Sequence, residues 1–342
     1  MSDTLQTLAL LVLEQKFRGR IVNQVNRTSA LLKLLRCIPA MGKNCAWGAK
    51  GTGQVAERYS EGADAANFGS NAKDQAILTW GLARSNFHNS GTARRASALA
   101  LTPEGVQNLI AENIDDATME LTSLINVDLY VGPGTTDTIA GLDVAIGDDS
   151  NSYATIDRSS KAYWRPTVVD PGSSTQLSFA QIRADQTAIF KKCGAIPDLA
   201  LVSPEVMDTV ASLFDANRRY TVDTVSTARG KIILDAGYEG IFFNGTTFVR
   251  DKDAPANTIS YLNSNWVHVE YLPPPPEVMQ MLMEMGMQVE ANDGFGPVPL
   301  GFMVEKLAKA GDSDKYMLTF NGQLVVRRPN ACGRRKNVAT VS

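Results

Sequence analysis

The residue types that do chemistry are sparse in this sequence. It contains only two histidines, His88 and His268. Histidine is the usual proton carrier near pH 7, because its pKa lies closest to that value. His88 lies in a polar, loop-like stretch. His268 lies in Trp266-Val267-His268-Val269, which reads as a strand. Neither belongs to a His-Glu-x-x-His pair or to a His/Cys cluster at metal spacing. Gly48-Ala49-Lys50-Gly51-Thr52-Gly53 has a phosphate-loop composition. It lacks the required glycine-lysine order, and no hydrophobic strand feeds it. Gly132-Pro133-Gly134 lacks the third glycine of a dinucleotide turn and follows a helix, the wrong context. The adjacent pairs Asp115-Asp116 and Asp148-Asp149 diverge on a helix or are solvated in a loop. Asp143, Asp148 and Asp149 could approach a calcium ion, but not at EF-hand spacing. No Gly-x-Ser-x-Gly elbow is present. The expectation is a non-enzyme with no catalytic, metal or cofactor-binding residue.

Charge is more informative. The net charge is −3 over 342 residues. Residues 1–50 carry Lys16, Arg18, Arg20, Arg27, Lys33, Arg36, Lys43 and Lys50 against Asp3 and Glu14, so an arm of +6 precedes a body of −9. That arm reads as a contact between subunits or with an interior polyanion, or else as a solvated helix face. A second basic cluster, Arg327, Arg328, Arg334, Arg335 and Lys336, lacks the interleaved aromatics of a base-stacking surface. An intersubunit contact is favoured there over nucleic acid or a solvated tail. Cys37, Cys45, Cys193 and Cys332 form no CxxC pair and no disulfide framework, which fits reduced thiols in a cytoplasm. The apolar run at residues 5–13 is too short to span a bilayer, and its positive charges follow it. It reads as an amphipathic helix.

The elements that would carry these residues form a mixed α+β chain. Residues 1–36 look helical up to Leu31, Leu32, Leu34 and Leu35, with Pro39 as the break. Residues 41–100 are polar and glycine-studded; Ala76 to Leu82 reads as a strand with Cys45-Ala46-Trp47 as its partner. This is a long two-stranded excursion, marginal alone in water and sensible if it lies on another subunit. Thr102 and Pro103 open a helix over 102–126, about 35 Å long. Its expected inner stripe is Val106, Leu109, Ile110, Ile114, Ala117, Leu121, Leu124 and Ile125. Ser178 starts a second helix, with Phe179, Ile182, Ile189, Phe190 and Cys193 on one side. Leu199 to Val202 is a strand, and Ser203-Pro204-Glu205 opens a third helix with Met207, Val210, Ala211 and Phe214 inward. Strands are expected at 232–234, 240–243, 247–250, 258–262 and 266–271, with a stiff break at Pro273 to Pro276. Alternation over 315–328 around Asn321-Gly322 predicts a terminal hairpin.

The order of parts is basic helical arm, glycine-rich hairpin, long helix, α/β unit and returning strands. This order resembles the major capsid proteins of tailed bacteriophages, the Hong Kong ninety-seven type fold. Thr102-Pro103 through Val131-Gly132 resembles the family's spine helix, and Ile139-Ala140-Gly141-Leu142 the short motif after it. Tyr153-Ala154-Thr155-Ile156-Asp157-Arg158 and Tyr163-Trp164-Arg165-Pro166 resemble the segment before the axial domain's helix. Asp198 to Pro204 resembles the strand-then-capped-helix step inside that domain.

The resemblance implies an N-terminal arm at 1–44, an extended loop at 45–100, a peripheral domain of 101–131 with 271–342, and an axial domain at 132–270. It implies a subunit that self-assembles as pentamers and hexamers into an icosahedral shell. Its expected partners are a portal protein, scaffold and decoration proteins, and packaged double-stranded DNA held non-specifically at the inner surface. No membrane is involved; the shell would assemble in the host cytoplasm and end in the virion. No long acidic prefix precedes the arm, so no cleaved domain is expected and any scaffold would be separate. Some relatives cross-link a loop lysine to an asparagine; Lys50 or Lys73 with Asn330 or Asn337 would take those roles. The alternatives are an encapsulin-like nanocompartment, against which the long 45–100 excursion argues, and a soluble hydrolase using His88 or His268.

Overall fold

The computed structural model describes residues 30–51, 56–58, 60–62, 64, 73–92, 103–215, 240–273, 302–308 and 311–340. The expectations for the arm before Ala30, the loop tip, the Thr102 cap, the strand at 232–234 and Pro274 to Pro276 lie outside these residues. In chain order the described helices are α1 (Ala30–Leu34), α2 (Pro103–Val131), α3 (Leu142–Ile146), α4 (Phe179–Cys193) and α5 (Pro204–Asp215). The strands are β1 (Arg36–Pro39), β2 (Cys45–Lys50), β3 (Lys73–Leu78), β4 (Gly81–Ser90), β5 (Thr167–Val169), β6 (Thr175–Gln176), β7 (Leu199–Val202), β8 (Gly240–Phe243), β9 (Thr246–Arg250), β10 (Ile259–Leu262), β11 (Val267–Tyr271), β12 (Phe302–Lys306), β13 (Ser313–Val326), β14 (Gly333–Arg335) and β15 (Val338–Ala339).

Two compact units share the chain. The first takes its described residues from Ala83–Ile125 and Pro273–Phe320. Here β12 runs antiparallel to β13, Phe302 opposite Phe320 and Lys306 opposite Tyr316, and β4 also pairs with β13. Phe302, Val304, Leu318 and Phe320 are buried, and Phe87 stacks on Tyr316 at 5.1 Å. On α2, Ile114, Ala117, Leu121 and Ile125 are buried at the spacing of one helix face. Leu124 is not: it is 48% exposed, which corrects its placement in the inner stripe. Its neighbours Leu121 and Ile125 already fill the inward positions, and Leu124 falls on the far side of the turn.

The second unit comes from Ser29–Leu82, Asn126–Leu272 and Asn321–Ser342. Its six-stranded sheet runs β5-β14-β10-β7-β9-β8. Strand β7 is central and wholly buried, as its unbroken apolar run requires. Helices α4 and α5 supply Ile182, Ile189, Val206, Met207 and Val210 to the same core as Val202, Phe248 and Ile259. Helix α4 starts as its sequence predicts. Ser178 caps the Gln181 amide, Gln181 reaches back to the Ser178 amide, and Gly194 closes the far end with φ +76°. Phe190, expected inward, is 48% exposed, because Gln186 and Asp185 occupy the buried face beside Ile182 and Ile189.

The predicted Asn321-Gly322 hairpin does not form. Strand β13 is continuous over 14 residues. Residues 316–320 pair with β12, whereas Gly322 to Val326 pair with β11. Each half therefore has its own five-residue partner, and a tight turn would forfeit both ladders. Strand β11 lies between β13 and the parallel β1, which opens at Arg36, where a helix was expected to end.

Candidate assembly site

The predicted pairing of β2 with β3 forms, with Cys45 opposite Leu78, Trp47 opposite Ala76 and Lys50 opposite Lys73, but the strand expected over Ala76 to Leu82 ends at Leu78, and Gly81 and Leu82 open β4. Among the described residues the β2–β3 hairpin is a two-stranded sheet of its own. Alternation gives it two faces. Cys45, Trp47, Ala49, Asp74, Ala76 and Leu78 point one way, and Ala46, Gly48, Gln75, Lys50 and Lys73 the other.

The first face rests on residues 153–164. Tyr153-Ala154-Thr155-Ile156 forms a tight turn, closed by Tyr153 N to Ile156 O at 3.0 Å and Ile156 N to Tyr153 O at 3.1 Å. Ala154 and Thr155 both take left-handed backbone, φ +52° and +66°. Such residues cost about 1–3 kcal/mol each and persist only where the surroundings enforce them. Here the enforcement comes from the hairpin: Ile77 N donates to Ala154 O at 3.0 Å, and Thr155 Oγ1 donates to Gln75 O at 3.4 Å. Trp164 lies beside Trp47 and Tyr153, with centroids 6.4 and 6.3 Å away, and its Nε1 donates to Tyr153 O at 3.1 Å.

A polar clasp closes the far end. The Tyr163 hydroxyl donates to Asp74, and Lys161 Nζ lies 3.2 Å from the same carboxylate. These partners, Tyr163 first, hold the Asp74 carboxyl below its ordinary range. Burial, then Asp74, pushes the Tyr163 phenol up to about 12. Gly51 makes the fit possible, since a Cβ there would lie 2.7 Å from the Tyr163 ring.

Below this seat, Arg158 is fully buried. Its guanidinium donates to Val144 O at 3.0 Å, Asp148 O at 2.7 Å and Ala145 O. A cation there completes the carbonyl end of α3. Burial lowers its pKa to about 10, so it stays charged at neutral pH. Gln323 ties the hairpin's exit to the motif after α2. Its Oε1 accepts from Ala140 N at 2.7 Å, and its Nε2 donates to Thr79 O at 2.7 Å.

The structure disperses the other candidates. His88 is exposed on β4. His268 is buried, with Nε2 2.9 Å from Glu270 Oε1. That bond, with a second from Arg327 at 3.0 Å, outweighs burial and lowers the Glu270 carboxyl to about 2. Asp143 pairs with Arg334. Asp148 accepts from Ser150 N and Oγ and from Asn151. No group of three metal-type ligands occurs among the described residues. Gly132 ends α2, and Gly134 N folds back to Ile139 O at 3.1 Å.

Two members of the basic C-terminal cluster are turned inward, which corrects their placement at a contact surface. Arg334 and Arg335 are buried in their own chain, and Arg335 grips Asp185 through two bonds of 2.6 and 2.7 Å. Arg328 covers Trp266 and bonds Cys193 O at 3.1 Å. Only Arg327 is well exposed, and it pairs with Glu270. The carboxylate Asp185 inside the apolar stripe of α4 was the sequence signal for this pairing. Asn330 Oδ1 accepts from Arg328 Nε at 3.1 Å, and Asn337 Nδ2 donates to Asp170 at 2.7 Å. Among the described residues no helix is long and apolar enough to cross a membrane.

Comparison with known proteins gives this frame a family. No curated protein matches by sequence. The capsid asymmetric unit of cyanophage A-1(L) matches in structure with TM-score 0.73 at 19% identity, over 93% of this chain and 95% of that one. The capsid of a native GTA particle matches with TM-score 0.61 at 12% identity, over 94% of each chain. The holo-SrpI encapsulin complex from Synechococcus elongatus PCC 7942 matches with TM-score 0.55 at 12% identity, over 97% and 96%. These likenesses establish the fold. The family described as SU10 major capsid protein matches residues 16–339, nearly the whole chain, and the chain therefore belongs to that family.

Proposed function

We propose that this major capsid protein builds the icosahedral shell of a tailed bacteriophage as pentamers and hexamers. The supporting observation is the β2–β3 hairpin. It is seated at its base on Tyr153–Trp164, while among the described residues its own sheet contains no third strand. Closed shells need heterologous contacts that form rings, and such a hairpin offers backbone and side chains to a neighbour. In this reading residues 1–44 are the arm, 45–100 the extended loop, 101–131 with 271–342 the peripheral domain, and 132–270 the axial domain. A portal, a separate scaffold, decoration proteins and non-specifically bound double-stranded DNA are the partners, and assembly occurs in the host cytoplasm. Lys50 and Lys73 face each other across the hairpin, away from its seat, where a neighbour would meet them.

Co-expression with the neighbouring phage proteins, followed by sedimentation and negative-stain imaging, tests this. Closed megadalton shells containing DNA are expected in infected cells. A compact monomer that never assembles would overturn the reading, and shells loaded with an enzyme instead of DNA would move it to a nanocompartment.

A further inference from the structure

The turn Tyr153–Ile156 is built from residue types that its geometry disfavours. Its central residues are both left-handed, Ala154 at φ +52° and Thr155 at φ +66°, and Tyr153 and Ile156 bond to each other across it in both directions. A two-residue turn with both φ values positive favours Asn-Gly or Gly-Gly, and a β-branched residue in it is an outlier. Alanine and threonine keep this shape only while something outside the turn compensates. The β2–β3 hairpin does so, through Ile77 N to Ala154 O at 3.0 Å. Relaxing the backbone at Ala154 and Thr155 turns that carbonyl away and frees the Ile77 amide.

A second opposing term sits on the same contact. Trp47 lies against Trp164, and its indole N–H is buried without an acceptor. A buried donor left unpaired disfavours the packing that encloses it. The hairpin's base is built the other way, with every donor matched. There Trp80 Nε1 donates to Gly42 O at 3.1 Å, Gln323 Nε2 donates to Thr79 O at 2.7 Å, and the Cys45 thiol donates to the Glu270 carboxylate. The hairpin is therefore fastened at its base and held under opposition on its seat.

We propose that the Tyr153–Ile156 turn is a two-position latch. It is left-handed at Ala154 and Thr155 while β2–β3 is seated, and it relaxes to ordinary backbone when the hairpin leaves residues 153–164, with the hairpin's base in place in both positions. The strained turn is the bistable element, and the seating of Ile77 reports its position. The latch belongs to the single chain. It goes beyond the shell reading, and its test needs no assembly, so each can fail without the other.

The test is hydrogen exchange of the Ile77 amide in the unassembled full-length subunit, read at single-residue resolution. The Ala140 amide, bonded to Gln323, marks the base, and the amides of β7 mark global unfolding. In the parent chain Ile77 should exchange faster than either marker. Ala154→Gly with Thr155→Gly removes the cost of left-handed backbone, because glycine adopts it freely. That variant should slow Ile77 exchange by about 5-fold or more, the reverse of the loosening that glycine brings to ordinary backbone. Thr155→Pro locks φ at about −65° and forbids the seated turn. It should leave Ile77 unprotected, with Ala140 and β7 still protected. Ile77 exchange as slow as that of the two markers in the parent would overturn the latch. So would Ile77 exchange in the glycine variant that is unchanged or faster, a result that stands even if the proline variant does not fold.

Discussion

Removing one member of the Asp185–Arg335 pair should be among the most damaging single changes in the chain. Both side chains are at most 7% exposed. Arg335 donates twice to Asp185, and Tyr261 adds a third bond at 3.3 Å. Asp185→Ala leaves a guanidinium buried without its counter-charge, which costs about 3–5 kcal/mol. Arg335→Leu strands the carboxylate and costs about the same. With a urea dependence of about 2 kcal/mol/M, either change lowers the unfolding midpoint by about 1.5–2.5 M. The double replacement Asp185→Leu with Arg335→Leu removes both charges and their desolvation penalty together, so it should fall within about 1–2 kcal/mol of the parent. Tyr261 would then lose one bond, a small part of that difference. Urea titration of the unassembled subunit, followed by tryptophan fluorescence, measures all four proteins. If the single variants lose less than about 1 kcal/mol, or the double loses the sum of the singles, the reasoning fails.

Gln323→Ala should cost about 1–3 kcal/mol in the same titration, because the buried Ala140 amide loses its partner, together with the part-buried bond to the Thr79 carbonyl. Gly81→Ala should destabilise by more than about 2 kcal/mol, since its Cβ would lie 2.8 Å from the backbone nitrogen of Ile139 and 3.0 Å from Gly322 O, neither able to yield. Thermal melts of that variant read the effect. The Glu270 carboxyl, held at about 2 in the folded chain by His268, then Arg327, against an ordinary value of 4.5, makes stability depend on acid. A depressed carboxyl stabilises fully above its unfolded pKa. Its contribution should therefore disappear as pH falls from about 5 towards 2, about 1–2 kcal/mol after screening at the half-exposed Arg327. Glu270→Gln should flatten that part of the pH profile, and unfolding midpoints between pH 5 and pH 2.5 check it.

Local chemistry made some elements legible before any coordinates. Ser178, Gln181 and Gly194 wrote the ends of α4 in residue types whose hydrogen bonds are short-range, and Leu199 to Val202 could only be a buried strand. The pairing of Cys45-Ala46-Trp47 with Ala76 to Leu78 was legible because both runs are flanked by polar, glycine-rich chain. The failures share one cause, the arrival of a partner from far along the chain. Asn321-Gly322 has hairpin chemistry, yet β11 and β12 each claim one side of it. Arg334 and Arg335 look like a surface cluster until Asp143 and Asp185, each at least 150 residues away, bury them. Leu124 satisfies the helical period by sequence but lies where the inward face has already turned away. The seat of the hairpin belongs to the same class. Nothing within Tyr153–Arg158 announces two consecutive left-handed residues, because the bonds that stabilise them come from Gln75 and Ile77. In this chain periodicity and caps therefore write the elements. The polar side chains that join distant elements write the assembly frame, and they are the positions where single substitutions should be felt most.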